Sequence, residues 1–456
     1  MRVTRSRLAW LSSTLLVVAC VTEGPPESGK GDTPGASRIE VERALGCKGL
    51  ACNVKSCGDP QGTTISGTVY APNGTLPIYN AQVFIPNGPL APISHGVGCN
   101  ACGAPLSGDP ITVATTDASG HFALLNAPSG KDIPLVVQLG KWQRVTTIPS
   151  VAACTNTNIT DPDLTRLPKN QSEGSMPHIA LTTGGCDQMG CVLPKLGIDD
   201  KEFGYEADGY AKAINTYLGE DFTLGLPATA ADHLWKSPPL LSTYDMALFS
   251  CECSEALTSK GGSITAPEFG VVTDYMNAGG RILTTDFQYT WYKYSPDPTL
   301  GGSPVGSDTI AIGKIVGGAP LGGDPISIDT SFTGGKALAD WLLGAFPGSA
   351  YAEVTPDYVF SNVQHINKKG VTWASSPTPT GPRIFTVSTP VGAAGHCGQG
   401  THIDAHVEQD SSDTVSCETL ADGGTGACYP KTCKNPLTEG EAMVAFYFFN
   451  MSSCVP

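Results

Sequence analysis

Sixteen cysteines spread along this 456-residue chain constrain its fold more than any other feature. Cysteines at this density form metal clusters or disulfide bonds, and the compartment in which the chain folds decides between the two. The candidates for disulfides are Cys47, Cys52, Cys57, Cys99, Cys102, Cys154, Cys186, Cys191, Cys417, Cys428, Cys433 and Cys454. Cys99 and Cys102 form a CxxC motif without a thioredoxin-like pattern around it. A loop disulfide, with Cys154 as one candidate partner, is therefore favoured over redox chemistry.

The amino terminus has the pattern of a lipoprotein export signal. A basic segment precedes an apolar stretch, residues 8–19, that is too short to span a hydrocarbon core of ~30 Å. Lipoprotein signal peptidase needs an aliphatic residue three positions before a cysteine and a small residue directly before it, and Val17 and Ala19 meet this need before Cys20. We expect lipid on Cys20 and anchoring in the outer membrane. Export favours disulfides over metal clusters.

The charge balance excludes one class of partner. The net charge is −15, and no run of Lys or Arg interrupts it, so the chain has no electrostatic basis for binding nucleic acid. Gly 54 and Pro 36 indicate abundant turns, and the length suits two or three domains.

Residues 63–150 show short β-branched or aromatic runs separated by Gly, Pro, Asn and Asp, a pattern typical of a β-sandwich. The predicted strands are 64–70, 81–85, 111–115, 121–124 and 134–139. The segments Ser66-Gly-Thr-Val-Tyr70, Asn80-Ala-Gln-Val-Phe84 and Thr116-Asp-Ala-Ser-Gly-His-Phe122 resemble the carboxypeptidase regulatory-like domain. The resemblance implies a transthyretin-like, carbohydrate-binding-like sandwich that stabilises a partner domain or binds a ligand. It transfers no catalytic residue.

A strand–helix–strand pattern follows at 244–286. A capping box from Thr265 to Glu268 begins the predicted helix, Gly279 ends it, and 280–286 is the next strand. Such a unit predicts parallel strands and an α/β domain. The segment resembles class I glutamine amidotransferase-like domains, including the trehalose-utilisation-like branch. The order of the two domains and the stretch from Ile179 to Asp200 also resemble a family of uncharacterised two-domain bacterial lipoproteins, over nearly the whole mature chain. This resemblance implies architecture but no activity.

The predicted fold class is therefore multidomain, a small all-β sandwich followed by a flavodoxin-like, amidotransferase-like α/β domain. In chain order the organisation is 1–19 signal peptide, 20–45 lipidated flexible tether, 46–62 Cys-rich segment, 63–150 sandwich, 151–177 connector and 178–456 α/β domain.

Cys251, with Glu252 beside it, is the first candidate catalytic residue, because nucleophiles in α/β sheets follow the carboxyl end of a strand. The surrounding Ser-Cys-Glu-Cys-Ser lacks the glycines of a nucleophile elbow, which favours a structural cysteine or a disulfide instead.

His402, Asp404 and His406 alternate along a predicted strand, 401–407, so their side chains would share one face, with Ile403 and Ala405 on the other. Two imidazoles and a carboxylate suit Zn²⁺ or another divalent metal. The alternative is a strand end whose polar face meets solvent or hydrogen-bonds neighbouring loops, and we expect no bound cofactor.

Asp286, Gln288 and Trp291 form the last candidate site, a sugar-stacking surface, against the alternative that the aromatic residues belong to the core. We expect a lipid-anchored envelope protein that binds a ligand or partner, a glycan being one candidate. The alternative is a hydrolase or amidase using Cys251 or a metal held by the 402–406 residues.

Overall fold

The computed structural model describes residues 47–99, 105–187, 189–219, 228–255, 258–259, 262–263, 266–302, 308–322, 325–356, 358–406, 415–419, 425–430, 433 and 435–453. The signal peptide, Cys20 and the tether lie outside these residues, as do Cys102, Thr265 and Cys454. Among the described helices, none combines the length and the apolar composition needed to cross a lipid bilayer.

Two small sheets form the first part of the fold. Their strands are β1 (Thr64–Thr68), β2 (Gln82–Ile85), β3 (Thr112–Thr115), β4 (His121–Leu124), β5 (Gly130–Leu139), β6 (Trp142–Val151), β7 (Asn156–Ile159) and β8 (Gly174–Ser175). The orders are β4-β1-β7 and β3-β2-β5-β6-β8. Burial alternates along β4, where Phe122 and Leu124 point inward and His121 outward, because successive side chains of a strand face opposite sides.

The strands of the first part extend beyond residue 150. β7 pairs in parallel with β1, and β8 pairs with β6. The predicted connector 151–177 therefore contains two strands of the sandwich sheets. β7 was missed because its sequence, Asn-Thr-Asn-Ile, is polar. Its amide side chains bond to hydroxyls of β1, as in the 2.9 Å contact from Thr64 Oγ1 to Asn156 Oδ1.

An 11-stranded sheet forms most of the remainder. The strands after β8 are β9 (Ile179–Thr182), β10 (Phe203–Tyr205), β11 (Ile214–Leu218), β12 (Thr229–Ala230), β13 (Met246–Phe249), β14 (Thr258–Ser259), β15 (Gly262–Ser263), β16 (Arg281–Thr285), β17 (Thr309–Ile310), β18 (Gly313–Ile315), β19 (Pro320–Gly322), β20 (Ile326–Ile328), β21 (Glu353–Val354), β22 (Tyr358–Phe360), β23 (Val363–Ile366), β24 (Val371–Pro377), β25 (Thr380–Thr389), β26 (Gly398–Ile403), β27 (Ala405–His406), β28 (Val415–Thr419) and β29 (Thr425–Pro430).

The large sheet has the order β10-β11-β9-β13-β16-β26-β25-β24-β20-β21, with β12 beside β11. Neighbours from β10 to β26 run parallel, and those from β26 to β21 run antiparallel. From β9 the chain first builds β10 and β11 on one side and then β13 on the other. The strand order therefore reverses between β9 and β13, and crevices for ligands form at such a reversal, outside the carboxyl ends of the strands.

The helices are α1 (Pro162–Thr165), α2 (Met189–Lys195), α3 (Asp232–Lys236), α4 (Pro238–Leu241), α5 (Ala266–Asn277), α6 (Thr290–Lys293), α7 (Thr333–Ala345) and α8 (Glu439–Ser452), with 3₁₀ turns at Gly49–Asn53, Asp200–Glu202, Glu206–Ala211 and Asp286–Tyr289. The capping box that begins α8 is formed, since Thr438 Oγ1 accepts from Glu441 N and Glu441 Oε2 accepts from Thr438 N. The prediction of a β-rich multidomain protein with helices is confirmed.

Disulfides are present, as predicted. The pairs are Cys57–Cys154, Cys99–Cys397, Cys186–Cys253 and Cys191–Cys433, and Cys47 and Cys52 are also disulfide-bonded. Pairing of the Cys99 loop with Cys154 is wrong, because Cys99 bonds to Cys397 in the large-sheet region. Cys397 was not among the predicted partners. The backbones of Cys417 and Cys428 are register partners in β28 and β29.

A buried carboxylate joins the sandwich to the amino edge of the large sheet. Asp245, directly before β13, accepts from the backbone N–H groups of Gly96 and His178 at 2.8 and 2.7 Å. Lys141 and His95 also bond to it, the latter at 3.0 Å. We call these five residues the amino-edge cluster. Its donors come from the loops between β2 and β3 and between β5 and β6 and from the residue before β9, so it holds the parts together.

Candidate functional site

Three predicted candidates from different parts of the sequence meet at the opposite, carboxyl edge of the parallel strands. Cys251 follows β13, Asp286 follows β16, and His406 ends β27 just after β26. The Cys251 thiol donates to Asp286 Oδ2 at 3.1 Å, and His406 Nε2 lies 2.9 Å from the same oxygen. We call these residues the carboxyl-edge cluster. All three are buried.

Asn362 fixes the orientation of Asp286. Its Nδ2 group donates to Asp286 Oδ1 at 2.6 Å and to Asp404 Oδ1 at 2.7 Å. These bonds leave the other oxygen of Asp286 for Cys251 and His406. Asp286 also has a φ of +38°, a conformation that is uncommon outside glycine and concentrated at functional sites. No motif around Asn362 predicted this role, because the contact depends on the fold of the loop before β23.

The electrostatics differ between the two partners of Asp286. Burial, reinforced by the charge of Asp286, raises the pKa of the Cys251 thiol well above its usual value. Burial alone would lower the pKa of His406, but the hydrogen bond to Asp286 and the charges of Asp187 and Asp404 outweigh it and raise that pKa. Cys251 is therefore a thiol at neutral pH and a poor nucleophile, since only the thiolate attacks.

The loops around Cys251 are closed over it. The Cys186–Cys253 disulfide joins the loop after β9 to the loop after β13, across the reversal of strand order. Gly184 packs so closely that a Cβ atom there would lie 2.1 Å from the Cys251 carbonyl oxygen. Cys251 is 0% exposed. The crevice expected at this point is thus sealed around the thiol.

The predicted site at 402–406 is wrong in its geometry. The strand breaks at Asp404. Ile403 and Ala405, the expected buried face, are buried, and so are the polar residues His402, Asp404 and His406. His402 Nδ1 bonds to Thr284 Oγ1 at 3.0 Å, and its Nε2 lies 3.9 Å from Asp404 Oδ1. Asp404 also lies against Asn362 and Arg383. Only His406 reaches the carboxyl-edge cluster, so the three side chains do not converge on one point.

The remaining candidates are also buried. Glu252 Oε1 lies against Gly219, where a Cβ atom would be 2.4 Å away, and takes no part in the cluster. Trp291 is 1% exposed and donates from Nε1 to Gln288 Oε1 at 2.7 Å. Its ring packs against Phe249 with 5.1 Å between centroids. Trp291 and Gln288 therefore offer no sugar-stacking surface, and the alternative that they belong to the core is the correct one.

An open groove of about 970 Å³ lies elsewhere, between the sandwich, the loop after α2 and the segment that precedes α8. Asn73, Lys169, Asp199, Lys201 and Asn435 line it with polar and charged groups. Its volume is in the range of pockets for small ligands. No sequence motif marked it, because its lining comes from separate loops.

No family model matches this chain, and no curated protein matches it. Solved structures with local similarity include a cohesin–X-dockerin complex from Acetivibrio cellulolyticus (16% identity, 30% of this chain and 86% of that chain, TM-score 0.17). A catalytic mutant of a GH42 β-galactosidase from G. stearothermophilus gives 11% identity over 54% of this chain and 32% of that chain, with a TM-score of 0.24. A 9R-lipoxygenase from Cyanothece gives 17% identity over 28% and 21%, with a TM-score of 0.13. Similarities this weak carry no argument about fold or function.

Proposed function

We propose that this chain is a lipid-anchored envelope protein whose amidotransferase-like α/β domain serves as a binding scaffold and does not catalyse. The signal before Cys20 supports export, and the disulfides fit an oxidising compartment. A parallel sheet with a cysteine after a central strand supports the amidotransferase-like assignment. Lipid on Cys20 provides the membrane contact, and outer-membrane sorting follows from the absence of Asp at position 21.

The observation that carries the non-catalytic assignment is the burial of Cys251. A nucleophile needs a path to substrate and a base that takes its proton. Cys251 has no exposed surface, and its thiol faces the Asp286 carboxylate, which raises its pKa. The Cys186–Cys253 disulfide, at the reversal of strand order between β9 and β13, closes the crevice that a substrate would enter. The residues of an enzyme are assembled here without the access that an enzyme requires.

The ligand site that we propose is the open groove. Its lining combines amide, ammonium and carboxylate groups, which suit a polar ligand such as an oligosaccharide. Asp199 and Lys201 lie on the groove and on the same 3₁₀ turn region, with Lys201 Nζ 3.7 Å from Asp199 Oδ2. Lys201 is well exposed, so its side chain is free to reorient toward a ligand.

The catalytic alternative is tested with purified protein and its Cys251→Ala variant. Release of ammonia from glutamine and from amide substrates should be at background for both proteins. Hydrolysis by the parent that disappears in the variant would establish the hydrolase alternative and refute this proposal.

The binding and anchoring parts need separate measurements. Titration with soluble oligosaccharides should show binding that Lys201→Ala weakens, whereas Lys131→Ala, away from the groove, leaves it unchanged. Cys20→Ser should abolish partition into the detergent phase. Retained partition with a processed mass would contradict lipidation of Cys20.

A further inference from the structure

The carboxyl-edge cluster contains the chemistry of a transition-metal site. One thiol sulfur, one carboxylate oxygen and one imidazole nitrogen, from Cys251, Asp286 and His406, all lie within 4.8 Å of one another. Thiolate, imidazole and carboxylate are the protein ligands of zinc. We propose that these three side chains bind Zn²⁺ as a structural site.

The distances between the ligand atoms are close to those that zinc imposes. Bonds of about 2.0–2.3 Å in a tetrahedron place neighbouring ligand atoms about 3.3–3.7 Å apart. Asp286 Oδ2 is 3.1 Å from Cys251 Sγ and 2.9 Å from His406 Nε2. Side-chain shifts of less than about 1 Å therefore convert these hydrogen bonds into coordination. The thiol proton is released to solvent when the thiolate binds zinc.

The histidine provides an independent observation. His406 is 4% exposed, and its Nδ1 atom is buried without a hydrogen-bond partner among the residues the structure describes. Its other nitrogen faces Asp286, which is an acceptor and cannot satisfy a lone pair. A buried imidazole normally uses both nitrogens. The hydrogen bonding of the metal-free protein therefore leaves this buried ring incompletely satisfied.

The charges around the cluster favour a divalent cation. Asp286 and Asp404 are both 0% exposed. Arg383 Nη1, 3.6 Å from Asp404 Oδ2, balances one of these charges. Burying carboxylates is costly unless they are paired with positive charge or coordinate a metal. Zinc at the cluster would supply two positive charges beside Asp286.

The redox state of the cysteines points in the same direction. Cys251 is a free thiol, while Cys186 and Cys253 in the adjoining loops are oxidised. Zinc coordination would occupy the sulfur and keep it out of thiol–disulfide exchange with these neighbours. Asn362 then orients the Asp286 carboxylate, because Asn362 Nδ2 donates to Asp286 Oδ1. The three side chains supply three of the four ligands of a tetrahedral zinc, and a water molecule enclosed with the ion would supply the fourth. The site would be structural because Cys251 has no exposed surface for a substrate to reach.

The test uses the full mature chain purified from cells grown with zinc, without chelating tags. Elemental analysis should give about one zinc per chain. Exchange for Co²⁺ should produce a thiolate-to-cobalt charge-transfer band and strong visible absorption from a tetrahedral ion. Cys251→Ser should abolish the charge-transfer band, and His406→Gln should lower the affinity. His121→Gln, an exposed histidine, is the matched control and should keep both signals.

Asn362→Ala should weaken metal affinity by about 10–100-fold while the charge-transfer band persists at saturating cobalt. The proposal is overturned by less than a tenth of an equivalent of zinc with no cobalt band. It is equally overturned by metal binding that Cys251→Ser and His406→Gln leave unchanged. If either variant fails to fold, X-ray absorption of the native zinc protein decides, because the proposal requires sulfur in the coordination shell and nitrogen or oxygen ligands alone would refute it.

Discussion

The two edges of the parallel sheet each bury one carboxylate, and the two carboxylates have different partners. Asp245 at the amino edge receives three groups that only donate, the Lys141 ammonium and the backbone N–H groups of Gly96 and His178, together with the His95 imidazole. Asp286 at the carboxyl edge receives a thiol and an imidazole, groups that can change protonation and bind metal. The same residue type therefore serves as a fixed structural link at one edge and as part of a chemically adaptable cluster at the other.

The largest effect is expected from Asp245→Asn. In either orientation, the new amide would point an N–H group at a backbone N–H of Gly96 or His178, which cannot accept a hydrogen bond. Lys141 would also lose its counter-charge. We expect a loss of about 3–5 kcal/mol in the free energy of unfolding, because breaking one side of a buried ion pair leaves the other uncompensated. Urea unfolding measures this loss. A change below about 1 kcal/mol would show that the amino-edge cluster does not hold the parts together.

The next comparison removes one disulfide at a time. Replacing Cys186 and Cys253 by Ala, or Cys57 and Cys154 by Ala, should each cost about 2–4 kcal/mol, since each closes a long loop. Only the first pair covers Cys251, so alkylation of that thiol should accelerate in the first variant alone. Equal labelling of Cys251 in both variants would mean that the Cys186–Cys253 bond does not seal the site.

Asp286→Asn is the matched partner of the Asp245 change. Cys251 and neutral His406 can both reverse roles and accept from an amide, and asparagine tolerates the positive φ at this position. We expect a change of less than about 1.5 kcal/mol in the free energy of unfolding of the metal-free protein. A loss as large as that of Asp245→Asn would contradict the distinction between the two edges.

The smallest effects come from pH, measured with a chelator present. Burial lowers the pKa of His178, so its contribution is present above pH ~6.5 and is lost as pH falls through the lowered value. The pKa of His406 is raised, so its contribution is present below pH ~6.5 and is lost as pH rises through the raised value. For each histidine, the free energy of unfolding changes by at most about 1.4 kcal/mol per pH unit.

Single glutamine variants separate the two histidines. His178→Gln should flatten the acid limb of stability against pH, and His406→Gln the alkaline limb. Chemical unfolding across pH 5 to 9 is the measurement, with the parent protein as control. If His178→Gln flattens the alkaline limb, or His406→Gln flattens the acid limb, the two pKa assignments are wrong.

Sequence patterns predicted much of the local structure and little of the site geometry. The strands predicted at 81–85 and 121–124 depend on local residues, and both are formed, as β2 and β4. Cys251 was recognised because it follows a strand, and Asp286 as one of the candidate sugar-binding residues. Their meeting with His406, 120 positions from Asp286 in sequence, depends on β26 pairing beside β16, which no local pattern specifies.

The errors have the same physical origin. Alternation along 401–407 predicted one shared polar face, but a break at Asp404 sends His406 to Asp286 and leaves His402 with Thr284. Trp291, beside Asp286 and Gln288 in the sequence, was a candidate for a sugar-stacking surface, with a place in the core as the alternative. Three-dimensional packing places it in the core.

The central claim is that the carboxyl-edge cluster is sealed from solvent and therefore non-catalytic. The most direct test is the rate at which iodoacetamide alkylates Cys251 in the native protein, followed by mass spectrometry of its peptide and compared with the same peptide in urea. We predict native alkylation slower by about 1,000-fold or more, because the thiol reacts only when the sealed loops open. Alkylation of native Cys251 within a few-fold of the unfolded rate would show an accessible, reactive thiol and contradict the claim.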